Sequence, residues 1–240
     1  MPARGGAKSA PVNLGNFLLT DASSPLSVVA GTLDGSGRAW RAFAEEKSAA
    51  LEGVFDATEK VRGNAEEPRG FLFCEGPGSI LGIRIAAAAI RARLALDAAK
   101  GVPARPVLAF RSLHLAAHLL LRAFLQEKDF TVAAESRMNA LNLLRVRGGV
   151  PEDDFEEAKT SETEKFSDGK FFVLPHRRAL PAALAANAAP CSVGALLRED
   201  PAVFADVPAL LRDVGNAPDA VNAAEADAYA RWTPERHRAA

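Results

Sequence analysis

Two histidines, and separately an aspartate followed by two serines, are the first residues that could do chemistry. His114 and His118 are four residues apart in a predicted helix, so both imidazoles lie on one face, as two metal ligands would. No glutamate follows His114 in the His-Glu-x-x-His manner, and neither His176 nor His237 lies in a segment that is expected to converge on the pair. The alternatives are an incomplete metal site and the partly exposed polar face of a helix, and we expect no metal.

Asp21 ends a predicted strand and is followed by the small hydroxyl residues Ser23 and Ser24. An open α/β sheet often binds ligands at the carboxyl ends of its strands, so this carboxylate could hold a metal or a phosphate. An aspartate that opens an Asx turn explains the same residues without a ligand. Cys74 and Cys191 are expected to be buried thiols, and no Ser-His-Asp or Cys-His set can be assembled.

A glycine-rich turn joins the apolar run 70–74 to a helix predicted over residues 80–100. Ser79 is well placed to cap this helix, whose first N–H groups could hold an anion or bond to the Ser79 hydroxyl. The spacing of Gly76, Gly78 and the next glycine matches neither a Walker loop nor a dinucleotide fingerprint. The candidate cofactor-binding residues are therefore Asp21, Gly76, Gly78 and Ser79. We expect no resident cofactor, and a nucleotide with magnesium only at an interface shared with a partner.

The elements that must position these residues follow the order β-β-β-α-β-α, then β-α and a β-hairpin. This order predicts two lobes in an α/β protein. We expect a flexible tail at 1–12, a first lobe at 13–102 that a C-terminal helix at 219–232 completes, and a second lobe at 103–218. The acidic segment 151–170 is typical of a solvated loop or an irregular edge, and we assign it no function.

Composition excludes several classes of function. The 240 residues are 48% hydrophobic and carry a formal net charge of −1, which gives no basic surface for direct binding of nucleic acid. The two cysteines do not suggest a disulfide framework or a zinc ribbon. No run has the length of a membrane span or the form of a signal peptide, so we expect a cytoplasmic protein without membrane contact.

The first half of the predicted helix 80–100 is apolar nearly all round, with Arg84 and Arg91 sharing one polar side. Such a helix needs partners on two sides. One side can cover its own sheet. The other side, together with the helix predicted over residues 47–61, either forms a face for a partner protein or is covered within the chain.

Four patches, read in order, resemble the bacterial TsaB (YeaZ-type) family. Residues 20–25, Thr-Asp-Ala-Ser-Ser-Pro, are similar to the family's opening Asp-Thr-Ser-Thr-Pro, and residues 76–85 resemble its Gly-Pro-Gly-Ser-Phe-Thr-Gly-x-Arg-Ile. Residues 106–113 stand where the family has a strand leading into Ser-Ser-Leu-Glu, and residues 134–139 where it has Asp-Ala-Arg-Met-Gly-Glu.

The chain departs from the family pattern at several positions. Ile80 and Leu81 replace Phe-Thr, Glu135 replaces an aspartate, and Lys47 precedes Ser48 where the family usually has His-Ser. The resemblance is therefore to a divergent member.

The resemblance also bears on the histidine pair. The metal-binding His-x-x-x-His of the family's catalytic relative falls on Ser112 and Ala116 of this chain. His114 and His118 are shifted by two residues, about 200° around a helix, which argues against a glycoprotease-type enzyme.

The resemblance implies a two-lobed fold of the actin-like and sugar-kinase-like (ASKHA) type, with mixed sheets flanked by helices. It implies a non-catalytic scaffold that binds and activates the catalytic subunit of tRNA N6-threonylcarbamoyladenosine synthesis, and that could also form a homodimer through the same helices. The expected partner-binding residues are Leu51, Val54, Phe55, Ile83, Ala87, Ile90 and Leu94. On this interpretation Ala87→Glu abolishes the complex and leaves the fold intact.

Two other functions stay open. One is a nucleotide-binding enzyme of the same superfamily that uses Asp21 and the turn 76–79. The other is a relative that has been repurposed outside tRNA modification.

Overall fold

The structure is a computed structural model that describes residues 13–63, 66–124, 126–136, 139–162, 169–180 and 182–221. The tail expected at 1–12 and all but the start of the helix expected at 219–232 lie outside these residues. No helix in the described ranges is long and apolar enough to cross a membrane.

The first sheet has six strands in the order β12-β5-β4-β1-β2-β3. Their bounds are β1 Phe17–Asp21, β2 Val28–Leu33, β3 Trp40–Glu46, β4 Gly70–Gly76, β5 Val107–Arg111 and β12 Arg212–Asp213. β1, β4 and β5 run parallel to one another, whereas β2, β3 and β12 pair antiparallel with their neighbours. The sheet is therefore mixed.

The second sheet is also mixed, with the order β11-β10-β6-β7-β8 and with β9 paired to β7. Its strands are β6 Phe130–Glu135, β7 Ala140–Arg147, β8 Val150–Pro151, β9 Glu156–Lys159, β10 Lys170–Val173 and β11 Ala188–Pro190. The hairpin predicted from the sequence is β6 and β7. The acidic segment expected to be a loop or an irregular edge contains β9, which pairs antiparallel with β7. Its charged side chains suit a strand near the edge of a sheet.

The helices form three layers around the two sheets. Their bounds are α1 Ala50–Arg62, α2 Ile80–Ala99, α3 Ser112–Ala123, α4 Ala182–Ala185, α5 Val193–Glu199 and α6 Val203–Asp206, followed by a 3₁₀ turn at Pro208–Leu210. α1 and α2 cover one face of the first sheet, and α3, α5 and α6 fill the space between its other face and the second sheet. Leu184 of α4 packs on the far face of the second sheet.

Side-chain alternation along the strands explains these layers. In β4, Phe71 and Phe73 face α1 and α2, whereas Leu72 and Cys74 face the central helices, because successive strand side chains point to opposite faces. Both faces of β4 are buried, which is why residues 70–74 read as a continuous apolar run.

The structure corrects the placement of the strand at 107–111. This strand was expected in a second lobe that begins at residue 103, but β5 pairs in parallel with β4 in the first sheet, with Val107 opposite Phe71. β4, α2 and β5 form a βαβ unit, in which the crossover helix returns the chain to the same sheet. The division between the sheets therefore falls after β5, and β12 brings the chain back to the first sheet.

Candidate functional site

A cavity of about 300 Å³ lies between the two sheets, where the carboxyl ends of β1, β4, β6 and β10 converge. Carboxyl ends of parallel strands are where open α/β sheets bind ligands. The polar residues of its wall are Asp21, Ser23, Ser24, Ser27, Ser79, Glu135, Ser136, Arg177, Arg178 and Ser192. Its charged side chains come from both sheets and lie at the carboxyl ends of parallel strands, so it is the candidate ligand site.

Asp21 closes an Asx turn at the end of β1. The Ser23 N–H donates to Asp21 Oδ1 over 2.8 Å. Asp21 is 6% exposed, and burial raises the pKa of its carboxyl above the ordinary value, although the bonds from Ser23 act in the opposite direction. Burial also raises the pKa of Cys74, and both cysteines are buried free thiols, so neither has the character of a nucleophile.

The glycine-rich turn packs directly on the turn that follows β1. The Ser79 N–H donates to the Ser23 carbonyl over 2.7 Å, and a Cβ on Gly78 would lie 2.3 Å from that same oxygen. Gly82 makes a similar approach, since its Cβ would lie 2.2 Å from the Ala22 carbonyl oxygen. These glycines allow the start of α2 to contact the backbone of residues 22–23. Their presence is thus explained by packing, without an anion.

Ser79 is the N-cap that the sequence predicts. Its hydroxyl accepts a hydrogen bond from the Gly82 N–H at 3.4 Å. Of the four candidate cofactor-binding residues, Asp21, Gly78 and Ser79 lie in the cavity wall. Gly76 is not in the wall; it ends β4 with a φ of 115°, a backbone conformation that favours glycine.

Sequence reasoning missed Glu135 and the two arginines as cavity residues. The Arg177 guanidinium donates from Nε and Nη2 to the Pro25 carbonyl at 3.1 and 2.9 Å. Glu135 accepts a hydrogen bond from the Arg177 backbone N–H at 3.1 Å, and its other oxygen lies 3.4 Å from Arg178 Nε. Glu135 ends β6, and the two arginines follow β10, which pairs with β6 in parallel. Charged residues at the carboxyl ends of two adjacent parallel strands are the signal that could have predicted these cavity residues.

The histidine pair lines a second cavity of about 380 Å³, together with Glu75, Arg111 and Arg212. His114 Nε2 lies 3.0 Å from the Asp153 carbonyl oxygen, and burial lowers the pKa of both imidazoles. No group of three His, Cys, Asp or Glu side chains in the described part of the chain could hold a metal. The pair therefore belongs to a half-buried polar face of α3.

The expected partner-binding residues divide into a buried group and an exposed group. The prediction that all of them lie on a partner-binding surface is therefore wrong for the buried group. Val54, Ile83, Ala87 and Ile90 are at most 5% exposed and pack on the first sheet. Leu94 is half-buried against the same cluster. Because the first half of α2 is apolar nearly all round, its sequence does not show which side packs on the sheet. Ile83, Ala87 and Ile90 lie on the side that does.

The other two expected residues, Leu51 and Phe55, are exposed, and so are Ile80, Leu81 and Leu96 of α2. Leu51 and Phe55 are each 57% exposed on α1, and Ile80 and Leu81 are 41% and 68% exposed at the start of α2. All four lie in the first two turns of their helices. We call them the α1–α2 face.

No family model matches the chain, and no curated protein matches it in sequence. Solved structures with a similar fold include two from Pseudomonas aeruginosa. YeaZ from Pseudomonas aeruginosa aligns with 86% of this chain and 99% of its own, at 18% identity and a TM-score of 0.54. A crystal structure of an uncharacterized protein with similarity to peptidase YEAZ from Pseudomonas aeruginosa aligns with 87% of this chain and 99% of its own, at 15% identity and a TM-score of 0.54. The chain therefore has the YeaZ fold, an actin-like α/β fold with two mixed sheets flanked by helices, which confirms the predicted fold class.

Proposed function

We propose that this chain is a non-catalytic subunit that binds and activates the catalytic subunit of tRNA N6-threonylcarbamoyladenosine synthesis, and that it acts in the cytoplasm. The α1–α2 face carries this proposal, because it exposes four large apolar side chains on a chain with the YeaZ fold. Leu51 and Phe55 lie one helical turn apart on α1, and contiguous exposed apolar side chains are typical of surfaces that bind other proteins.

The surroundings of the face suit a protein interface. Glu52, Asp56 and Glu59 are exposed on α1, and Arg84 is exposed on α2, so the exposed apolar side chains have charged neighbours on their own helices. Phe55 is an aromatic residue of the kind that often dominates binding energy. The residues beneath, such as Ala87, already cover the first sheet, so the exposed side chains are available to a partner without disturbing the core.

The cavity between the sheets supports a role without catalysis. Its charged groups bond to one another or to the backbone: Arg177 to the Pro25 carbonyl, and Glu135 to Arg177 and Arg178. Asp21 Oδ1 similarly accepts a hydrogen bond from the Ser23 N–H. A general base or a metal ligand needs a carboxylate that is free to meet its substrate.

Light scattering of the chain, alone and mixed with the catalytic synthase subunit from the same organism, tests the proposal. We expect a mixed complex with the summed mass, which Phe55→Glu abolishes. Val150→Glu is the matched control, because Val150 is an apolar residue that is 67% exposed on the second sheet. The proposal fails if the two proteins do not associate, or if Phe55→Glu and Val150→Glu weaken the complex equally.

The same measurement on the chain alone addresses self-association. An exposed apolar surface that binds a partner can also pair with a second copy of the chain. If the homodimer uses the α1–α2 face, Phe55→Glu gives a monomer, whereas Val150→Glu leaves the dimer intact.

A second candidate is a nucleotide-binding enzyme, which the cavity favours because Asp21 and Ser79 lie in its wall. Titration with ATP and magnesium separates the two functions. Thermal stabilisation that increases with nucleotide concentration is expected for the enzyme and is not expected for the scaffold. Absence of both nucleotide binding and the partner complex would favour a protein repurposed outside tRNA modification.

A further inference from the structure

The last described residue lies at the edge of the first sheet where the α1–α2 face is found. The Val221 N–H donates to the Glu75 carbonyl over 2.9 Å, at the carboxyl end of β4. β3 and β4 end at this same edge, because β3 and β1 both pair antiparallel with β2 and β4 is parallel to β1. α1 follows β3 and α2 follows β4, so both helices begin at the edge where Val221 lies.

The sequence continues for 19 residues beyond Val221, as the segment 222–240. This segment is rich in alanine and contains two large aromatic residues, Tyr229 and Trp232. The residues between Val221 and Tyr229 can span about 23 Å when extended. Packed helices lie roughly 10 Å apart, so a segment that starts at this edge is long enough to reach both α1 and α2.

The charges of the segment complement those of the two helices. The chain before Val221 runs beside α2, where Arg91 Nη1 donates to the Pro218 carbonyl over 2.5 Å. The first charges beyond Val221 are acidic, Glu225 and Asp227, and the exposed charge at the start of α2 is Arg84. Oppositely charged groups therefore meet where the segment passes α2.

The later part of the segment is mainly basic and suits α1. Its charged residues are Arg231, Glu235, Arg236 and Arg238. The exposed carboxylates of α1, Glu52, Asp56 and Glu59, form the row next to Leu51 and Phe55. In the described ranges neither Glu52 nor Glu59 forms an ion pair, and Lys60 of the same helix pairs with Glu46. The acidic row is therefore available to the arginines of the segment.

We propose that the segment 222–240 binds the α1–α2 face of its own chain, with Trp232 against Phe55, and that a partner of this face must displace it. Burial of exposed apolar side chains against a tethered aromatic residue is favourable. Attachment to the same chain gives the segment a high effective concentration at the face. The displacement by a partner rests on the proposed function, whereas the contact within the chain does not.

The fluorescence of Trp232 tests the contact on the chain alone. The sequence has two tryptophans, and Trp40→Phe removes the other one. In this background, acrylamide quenching of Trp232 is compared for three proteins: one with no further change, one with Phe55→Glu and one with Val150→Glu. Val150→Glu is the matched control, because Val150 is 67% exposed and lies on the second sheet.

We expect Trp232 to be shielded, and Phe55→Glu to raise its quenching constant about threefold, because the free segment changes from a minor to the major population. Val150→Glu should leave the constant unchanged. A Trp232 that is as accessible as free tryptophan, or an equal effect of the two glutamate variants, would overturn the proposal. If Trp40→Phe does not fold, the difference between wild type and Trp232→Phe gives the same signal.

A concentration series separates a contact within one chain from a contact between two copies. Quenching of Trp232 should not depend on protein concentration. A constant that falls as concentration rises would overturn the proposal, because it would show that a second copy covers the face.

The displacement is tested with the catalytic synthase subunit. Trp232→Ala should strengthen the mixed complex about tenfold, because the face is then no longer occupied. An unchanged affinity would overturn the competition. Absence of any mixed complex would instead contradict the proposed function, and the quenching of Trp232 would still decide whether the segment binds the α1–α2 face.

Discussion

The Ser23 carbonyl oxygen lies so close to Gly78 that a Cβ on Gly78 would be only 2.3 Å from it. The same oxygen accepts the Ser79 N–H, so the start of α2 and the turn after β1 are fitted together backbone to backbone. The most distinctive sequence motif of the chain is thus explained by contact between two turns.

Gly78→Ala should lower the free energy of unfolding by about 2 to 3 kcal/mol, because the new methyl group meets a backbone oxygen and the φ of 153° is unfavourable for alanine. Urea denaturation measures the change. Gly35→Ala is the control, because a Cβ there meets nothing within 4 Å. Equal stability of the two variants would contradict the packing explanation.

Ala87→Glu should unfold the protein or lower its stability by more than about 3 kcal/mol, because it buries a carboxylate at a fully buried position. This replaces the expectation from the sequence that the variant keeps the fold. Phe55→Glu should leave the unfolding midpoint nearly unchanged, since Phe55 is 57% exposed. Circular dichroism with denaturant compares the two variants, and a stable Ala87→Glu protein would show that α2 has been placed with the wrong side inward.

Asp97→Ala should cost about 2 to 3 kcal/mol of stability, because Arg93 and Arg105 both lose a buried carboxylate, and Arg105 keeps only the exposed Glu67 and the Pro68 carbonyl. Asp97 Oδ2 lies 2.9 Å from Arg105 Nε, and their side chains are 6% and 10% exposed. Arg147→Ala breaks a pair with Glu152 whose side chains are 71% and 40% exposed, so it should change stability by less than about 1 kcal/mol. Denaturant titration of both variants measures the two losses of stability. Equal losses would show that burial of the ion pair does not determine its contribution.

The free energy of unfolding should decrease as the pH falls below 6.5, in part because of His114 and His118. Burial lowers the pKa of both from 6.5, so in this range the unfolded chain binds more protons than the folded one. His114 Nδ1 is buried without a hydrogen-bond partner, so protonating it would leave an unpaired N–H.

The double variant His114→Gln/His118→Gln should therefore lose part of the decline in stability between pH 7 and pH 5. Denaturation at a series of pH values measures the slope for both proteins. Identical slopes would show that these imidazoles do not contribute.

Local patterns were sufficient to predict β4, the Ser79 cap, α2 and the hairpin of β6 and β7, because each depends on residues that are close in sequence. They did not predict the sheet to which β5 belongs, since a buried strand carries the same apolar run whichever sheet it joins. The same limit applies to α2, where Ile83 and Leu81 are both apolar but only Ile83 is buried.

The candidate site was predicted in part. Asp21, Gly78 and Ser79 follow from turn signals at strand ends. Arg177 lies about 150 residues further along the chain from Pro25, and only the pairing of β10 with β6 brings it to the cavity. Contacts between distant loops depend on tertiary structure and leave no local pattern.

The most direct test of the proposed function is the rate at which the catalytic synthase subunit forms threonylcarbamoyladenosine in tRNA as this chain is added. We predict that the rate rises until the two proteins are equimolar, that Phe55→Glu gives no rise, and that Val150→Glu behaves as the wild type. A rate that does not change on adding the wild-type chain would contradict the proposal.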